Sequence, residues 1–238
     1  MSTQKAQILA IIGQGYVGLP LAMAAVDAGW TVIGVDNFEA KVSQINSGSS
    51  PVEDISDEQL QSALTKGAYK ATTDFSAVSE ASVITICVPT PLDEKREPDL
   101  ALLRSAATGI APFISNETLI VSESTSYPGT LRKEIAGRIT GITHLYASSP
   151  ERVDPGNTQW GTKNTPRLIG GLTPEALRAF IDDDPKALDK YKKDHKDEWV
   201  TVLGSSDFTL KEDSSDWDEN KNSILASLAR MLGTTATS

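Results

Sequence analysis

The sequence predicts an α/β fold: a doubly wound parallel sheet followed by an irregular acidic C-terminal tail. Three observations predict it. Short apolar runs alternate with helical patterns from residue 7 to about residue 177, as strands joined by crossover helices do. Residues 8–36 combine an apolar strand, the glycines Gly13, Gly15 and Gly18, an apolar-faced helix, a second strand and a closing acid, Asp36. After residue 178 the character changes, with thirteen Asp and Glu against nine Lys and Arg up to residue 238 and few apolar runs. The expected division is a sheet domain over 1–177 and an acidic tail over 178–238, partly helical or disordered.

Ile8 to Ile12 read as a buried parallel strand. Gly13 then turns the chain, Gly15 lets backbone approach a pyrophosphate, and Gly18 lets the next helix pack close to the strand. Tyr16 and Val17 belong to the same turn, whose unpaired N–H groups and positive helix end make an anion site. Val17, Leu21 and Ala25 recur on one helix face. The second strand, 31–35, ends at Asp36, eighteen positions after Gly18, where a carboxylate can accept both ribose hydroxyls of an adenosine. That acid would repel a 2′-phosphate and no Arg follows to neutralise one, so the expected cofactor is NAD and the fold Rossmann-like. A membrane span over 8–25 is the rival reading, since Gln14 is its only overtly polar side chain. Three glycines and Pro20 argue against it, as does the lack of a basic flank or cleavage pattern.

Further strands are expected at 69–72, 82–88, 118–123, 145–148 and 167–169, with the first beginning at residue 7. Ser56 with Gln59 forms a capping box, and Thr173 before Pro174 is an N-cap with proline in the first turn. In the tail, Asp182-Asp183-Asp184-Pro185 reads as a break, 186–199 as a charged helix, 199–203 as a short strand and 224–232 as a short amphipathic helix.

Composition narrows the function classes. A net charge of −10 over 238 residues argues against nucleic acid as a partner. One cysteine excludes an internal disulfide framework, and without a signal sequence the expected compartment is the cytoplasm. No metal is expected, because His144 and His195 have no ligand spacing around them. Asp216, Asp218 and Asn220 imitate a calcium loop, but Lys221 replaces its glycine and Ser227 its final glutamate.

Three strand-end segments carry candidate chemistry. In Cys87-Val88-Pro89-Thr90-Pro91, two prolines fix a loop and Thr90 offers a hydroxyl to a cofactor. The stretch from Ser122 to Thr130 presents several hydroxyls, Thr125 among them, and enters a helix through Pro128 and Gly129. In Ser149-Pro150-Glu151-Arg152, Glu151 offers a carboxylate base.

On Gly13-Gln14-Gly15-Tyr16-Val17-Gly18-Leu19-Pro20, Asp36 with Lys41, Val88-Pro89-Thr90-Pro91-Leu92, Glu123-Ser124-Thr125 with Pro128-Gly129-Thr130, and Ser149-Pro150-Glu151-Arg152, the chain resembles the NAD-binding half of the UDP-glucose/GDP-mannose dehydrogenase family. The Pro-Glu-Arg-Val-Asp-Pro-Gly-Asn form of the last motif looks most like the members that oxidise UDP-N-acetylhexosamines. The resemblance implies NAD-dependent oxidation of C6 of a nucleotide sugar, from alcohol to uronic acid, of the sort that feeds polysaccharide biosynthesis. Two hydride transfers are implied, with a cysteine thiolate capturing the aldehyde and water releasing the acid from a thioester. On the matching positions, Glu151 would orient or deprotonate that water, Thr125 would help hold it, Asp36 would take the ribose and Lys41 would support the adenosine end.

The family's nucleophilic cysteine, lysine and asparagine belong to further segments that are not recognisable in this sequence. Cys87, the only cysteine, reads as a small core residue at a strand end. The chain therefore reads as a truncated cofactor portion that would take a UDP-sugar only with the missing domain supplied, and that could form a homo-oligomer. The alternative is a stand-alone NAD-binding module or an inactive paralogue. A relative of the small 3-hydroxyacid dehydrogenases is disfavoured by Glu123-Ser124-Thr125 and Ser149-Pro150-Glu151-Arg152.

Overall fold

A computed structural model describes residues 8–114, 118–139, 145–151, 170–173 and 176. Among them, seven strands form one sheet: β1 (Ile8–Ile12), β2 (Thr31–Val35), β3 (Tyr69–Thr72), β4 (Val83–Ile86), β5 (Leu119–Ser122), β6 (Leu145–Ser148) and β7 (Gly170–Gly171). Their order is β3-β2-β1-β4-β5-β6-β7. The winding runs outward from β1 through β2 to β3, then restarts on the other side of β1 with β4. That reversal leaves a crevice above the carboxyl ends of β1 and β4, the position at which open α/β sheets bind ligands.

The first six strands pair in parallel, and β7 runs antiparallel to β6. The sheet is thus parallel-dominant rather than wholly parallel. An edge strand made of two glycines carries no apolar pattern, so it left no strand signal in the sequence. The strand expected at 167–169 lies outside the described residues, as do His144, Arg152 and everything after residue 176.

Strand sidedness explains the two layers. Ala10 and Ile12 of β1 join Ile33, Val35, Ile84, Ile86 and Ile120 in one core, against Leu103, Ala107 and Ile110 of α4 (Ala101–Ile110) and Ile135. Leu9 and Ile11 point the other way. They pack with Val32 against Leu19, Ala22 and Met23 of α1 (Gly18–Asp27), Ile45 of α2 (Glu39–Asn46) and Leu60 of α3 (Asp57–Thr65). Apolar side chains on both faces are what a sheet covered by helices requires.

The buried face of α1 is Leu19, Ala22 and Met23, whereas Val17, Leu21 and Ala25 are half-buried along its flank. The expected face was therefore rotated by part of a turn. An almost wholly apolar helix gives periodicity little contrast with which to choose a side. Both capping hydroxyls accept as expected, Ser56 Oγ from Gln59 N–H at 3.2 Å, which is the N-cap half of the capping box, and Thr173 Oγ1 from Ala176 N–H at 3.1 Å. Strands β4 and β5 are shorter than expected, because Cys87, Val88 and Glu123 already belong to the loops that leave the sheet. No helix among the described residues is long and apolar enough to cross a membrane.

Candidate functional site

The glycine turn is built by contacts that exclude side chains. Gly13 has φ +96°, and a Cβ there would lie 2.7 Å from the carbonyl oxygen of Cys87. Its N–H donates to Val35 O at 2.7 Å, which ties the turn to β2. A methyl on Gly18 would overlap the carbonyl oxygen of Gly13, so α1 approaches the strand as closely as backbone allows. Gly15 differs from both: a Cβ there would meet no atom within 4 Å. Its bare backbone faces space that a ligand can fill, while Gly13 and Gly18 shape the turn.

Beyond the turn, the Asp36 carboxylate is 6% exposed and already engaged. Oδ2 accepts from Gln14 N–H at 2.9 Å and from Lys41 Nζ at 2.8 Å, and Oδ1 accepts from Phe38 N–H at 3.0 Å. A carboxylate has about four lone-pair sites, so three donors leave about one open. Accepting two ribose hydroxyls requires one donor to leave. Lys41 is the donor free to do so, since its side chain is 30% exposed while the other two donors are backbone groups.

The opposite wall comes from the loops after β4, β5 and β6. Thr90 Oγ1 donates to the carbonyl oxygen of Thr125 at 2.6 Å, joining two of these loops. The Thr90 hydroxyl proton, expected to face a cofactor, is thus committed inside the wall, and its oxygen remains an acceptor. Ser124 Oγ donates to Val88 O at 2.7 Å and makes the same join one residue earlier. Glu151 N–H donates to Glu123 O at 3.2 Å, which carries the β6 loop into register with the β5 loop.

These walls enclose a groove of about 410 Å³. Gly13, Gly15, Tyr16, Val17, Asp36 and Lys41 line one end, and Pro89, Thr90, Thr125 and Glu151 the other. Of the residues expected at a site, only Gly18 does not line it; its place is beneath the turn. Gln14, Cys87, Val88, Glu123 and Ser124 also line the groove. Cys87, Val88, Glu123 and Ser124 were within the motifs read from the sequence, but strand-end position alone does not tell wall from core. Among the described residues, no cluster of His, Cys, Asp and Glu could hold a metal ion.

A dinucleotide fits this groove on its own evidence: a backbone turn open at Gly15, a buried acid one strand away, and a polar rim at the far end. Comparison with known proteins agrees. The family model described as the UDP-glucose/GDP-mannose dehydrogenase family, NAD binding domain, matches residues 7–182. A UDP-N-acetyl-D-mannosamine dehydrogenase from Pyrococcus horikoshii is 33% identical over 175 residues, covering 71% of this chain and 42% of the relative. A UDP-N-acetyl-D-glucosamine 6-dehydrogenase from Salmonella typhi is 32% identical over 184 residues, covering 74% and 42%. Among solved structures, the UDP-D-ManNAc dehydrogenase of Pyrococcus horikoshii superposes with a TM-score of 0.68 at 29% identity, covering 84% of this chain and 47% of that one. The chain spans about 42% of the length of these curated relatives. It belongs to the UDP-glucose/GDP-mannose dehydrogenase family, through that family's NAD-binding domain.

Proposed function

We propose that this chain is the cofactor-holding portion of a nucleotide-sugar 6-dehydrogenase whose substrate is a UDP-N-acetylhexosamine. The observation that carries the reading is the single groove that unites the open glycine turn and Asp36 with Thr125 and Glu151. NAD, when bound, supplies the hydride acceptor. Asp36 takes the adenosine ribose, the backbone around Gly15, Tyr16 and Val17 takes the pyrophosphate, and Lys41 turns from Asp36 toward the adenosine end. Pro89 and Thr90 shape the wall at the far end. Glu151 orients a water or takes a proton from it, and Thr125 holds that water in place. The substrate class rests on the names of the relatives and on the Pro-Glu-Arg-Val-Asp-Pro-Gly-Asn motif.

A second reading, an NAD-binding module without turnover of its own, is favoured by one observation. The only cysteine, Cys87, is 8% exposed at the end of β4, which suits a core residue better than a nucleophile. One experiment separates the two. NAD binding is measured by titration calorimetry, and NADH is then followed by absorbance with UDP-N-acetylmannosamine, UDP-N-acetylglucosamine and UDP-glucose. Release of two NADH per sugar excludes the module. NAD binding without any NADH excludes a self-sufficient enzyme. We further propose that 1–177 folds as a unit and that 178–238 is an addition to it, so limited proteolysis should trim the chain to a stable fragment ending near residue 177.

A further inference from the structure

Gln14 stands between the first two glycines of the turn, and its side chain is fully buried. Its Nε2 donates to Ile11 O at 2.8 Å and to Gly13 O at 3.1 Å, and its Oε1 accepts from the Tyr69 hydroxyl at 2.7 Å. Every polar atom of the amide group is therefore used inside the protein. Tyr69, the first residue of β3, is 2% exposed, and a Cβ on Gly34 of β2 would meet its hydroxyl at 2.5 Å and the Gln14 amide at 2.7 Å. A glycine in the intervening strand is what makes room for this pair. Burial, with the nearby Asp36 carboxylate adding to it, raises the pKa of Tyr69, so its phenol stays a hydrogen-bond donor.

The pair bears on the cofactor through one bond: the same Gln14 whose side chain is held from β3 gives its backbone N–H to Asp36 Oδ2. We propose that Gln14 and Tyr69 are positioning residues for the adenosine half of NAD, a lock that orients the Gln14 peptide and through it the carboxylate that receives the ribose. The proposal deepens the NAD reading and rests on it. A buried polar pair that served stability alone would be replaceable by apolar side chains at the cost of its hydrogen bonds and nothing more, because removing both partners leaves neither side chain unpaired and takes from the Ile11 and Gly13 carbonyl oxygens only the Nε2 donor. A lock is not replaceable in that way, since apolar packing does not set the rotation of a peptide plane.

The test uses the full chain, the double variant Gln14→Leu with Tyr69→Phe, and two ligands: NAD and its analogue lacking the adenosine 2′-hydroxyl. Thermal melting reports stability and calorimetry reports affinity. The unaltered chain should bind NAD and prefer it over the analogue by about tenfold, a preference set by the hydrogen bond to Asp36. The double variant should stay folded, melting somewhat lower because the Ile11 and Gly13 carbonyl oxygens lose the Nε2 donor, but bind NAD about tenfold more weakly and lose most of its preference for the 2′-hydroxyl. Equal affinity and undiminished preference in a folded double variant would overturn the lock and leave the NAD reading intact. Failure of the unaltered chain to bind NAD would overturn both. Should the double variant not fold, Tyr69→Phe alone carries the same comparison, with the ratio of the two affinities as its readout.

Discussion

The turn end of the groove and the rim end are held by different means. From Gly13 to Lys41 the wall consists of strand termini and a helix start. Its main-chain groups are fixed to neighbouring strands, and its one acid is held by three donors. From Pro89 to Glu151 the wall is three loops, joined mainly by hydroxyl-to-carbonyl and main-chain bonds. Close to that rim, the hydroxyls of Ser122, Thr130 and Ser149 are buried with no hydrogen-bond partner among the described residues. The lesson is that the NAD-binding turn is built into the scaffold, whereas the residues to which we assign the chemistry stand on loops set on top of it.

The sharpest way to break that comparison lies within the turn, where three glycines do different things. Gly18→Ala places a methyl on the Gly13 carbonyl oxygen, backbone against backbone, which no side-chain rotation relieves. We expect a loss of about 4 kcal/mol or more, or no folded protein, in chemical denaturation. Gly15→Ala meets nothing and needs no left-handed backbone, so it should change stability by no more than about 0.5 kcal/mol. Its NAD affinity should nevertheless fall by at least about tenfold, because the methyl occupies the space left for the ligand. Equal melting temperatures for the two variants would refute the division between shaping and binding glycines.

Next in size are the acid and its cation. Asp36→Asn keeps the shape but removes the charge that Lys41 answers, and one face of the amide becomes a donor aimed at donors. NAD affinity should drop by about 10- to 100-fold, consistent with about 1.5–3 kcal/mol for a charged hydrogen bond. Lys41→Met should cost far less, a few-fold at most, because in the proposed binding mode the lysine leaves Asp36 to the ribose. If Lys41→Met proved as damaging as Asp36→Asn, the lysine would be a primary contact rather than a displaceable one. Calorimetric titration with NAD ranks the pair.

The turn end was nearly all legible in the sequence, because its glycines and its acid, Gly13, Gly18 and Asp36, stand at spacings that a strand, a tight turn and a helix impose. Gln14 was not legible, since its partner lies 55 positions away and nothing local marks a buried amide. The rim was legible as motifs but not as contacts. Thr90 looked like a cofactor contact, and only tertiary structure shows its hydroxyl donating to the Thr125 carbonyl. Strand ends blurred by one or two residues for a similar reason: apolar runs continue into Cys87 and Val88, while the ladder ends at Ile86. The antiparallel edge, two glycines long, is set by pairing with β6 and by no side chain at all.

The smallest effect should come from the surface beside the rim, where one ion cluster fastens the helical turn Leu131–Ile135 to α4. Glu134 accepts from Arg104 Nε at 2.7 Å and Nη2 at 3.1 Å, and from Arg138 Nη2 at 3.1 Å. The hydrogen bonds from Arg104, then those from Arg138, hold its carboxyl down to about 2 from an ordinary 4.5. A depressed carboxyl pKa stabilises the fold at pH values above 4.5, where both folded and unfolded forms are charged, and loses that contribution as pH falls toward 2. The side chain is 15% exposed and its partners are more open, so screening reduces the effect to about 1 kcal/mol or less. Glu134→Gln should therefore lower the urea midpoint slightly and evenly between pH 6 and 8, with the gap from the unaltered chain closing as pH drops from 4.5 to 3. Added salt should shrink the gap at pH 7 as well. A gap that stayed constant down to pH 3 would mean that the glutamate side chain acts by packing, and that the rim is held by shape where its charges suggest otherwise.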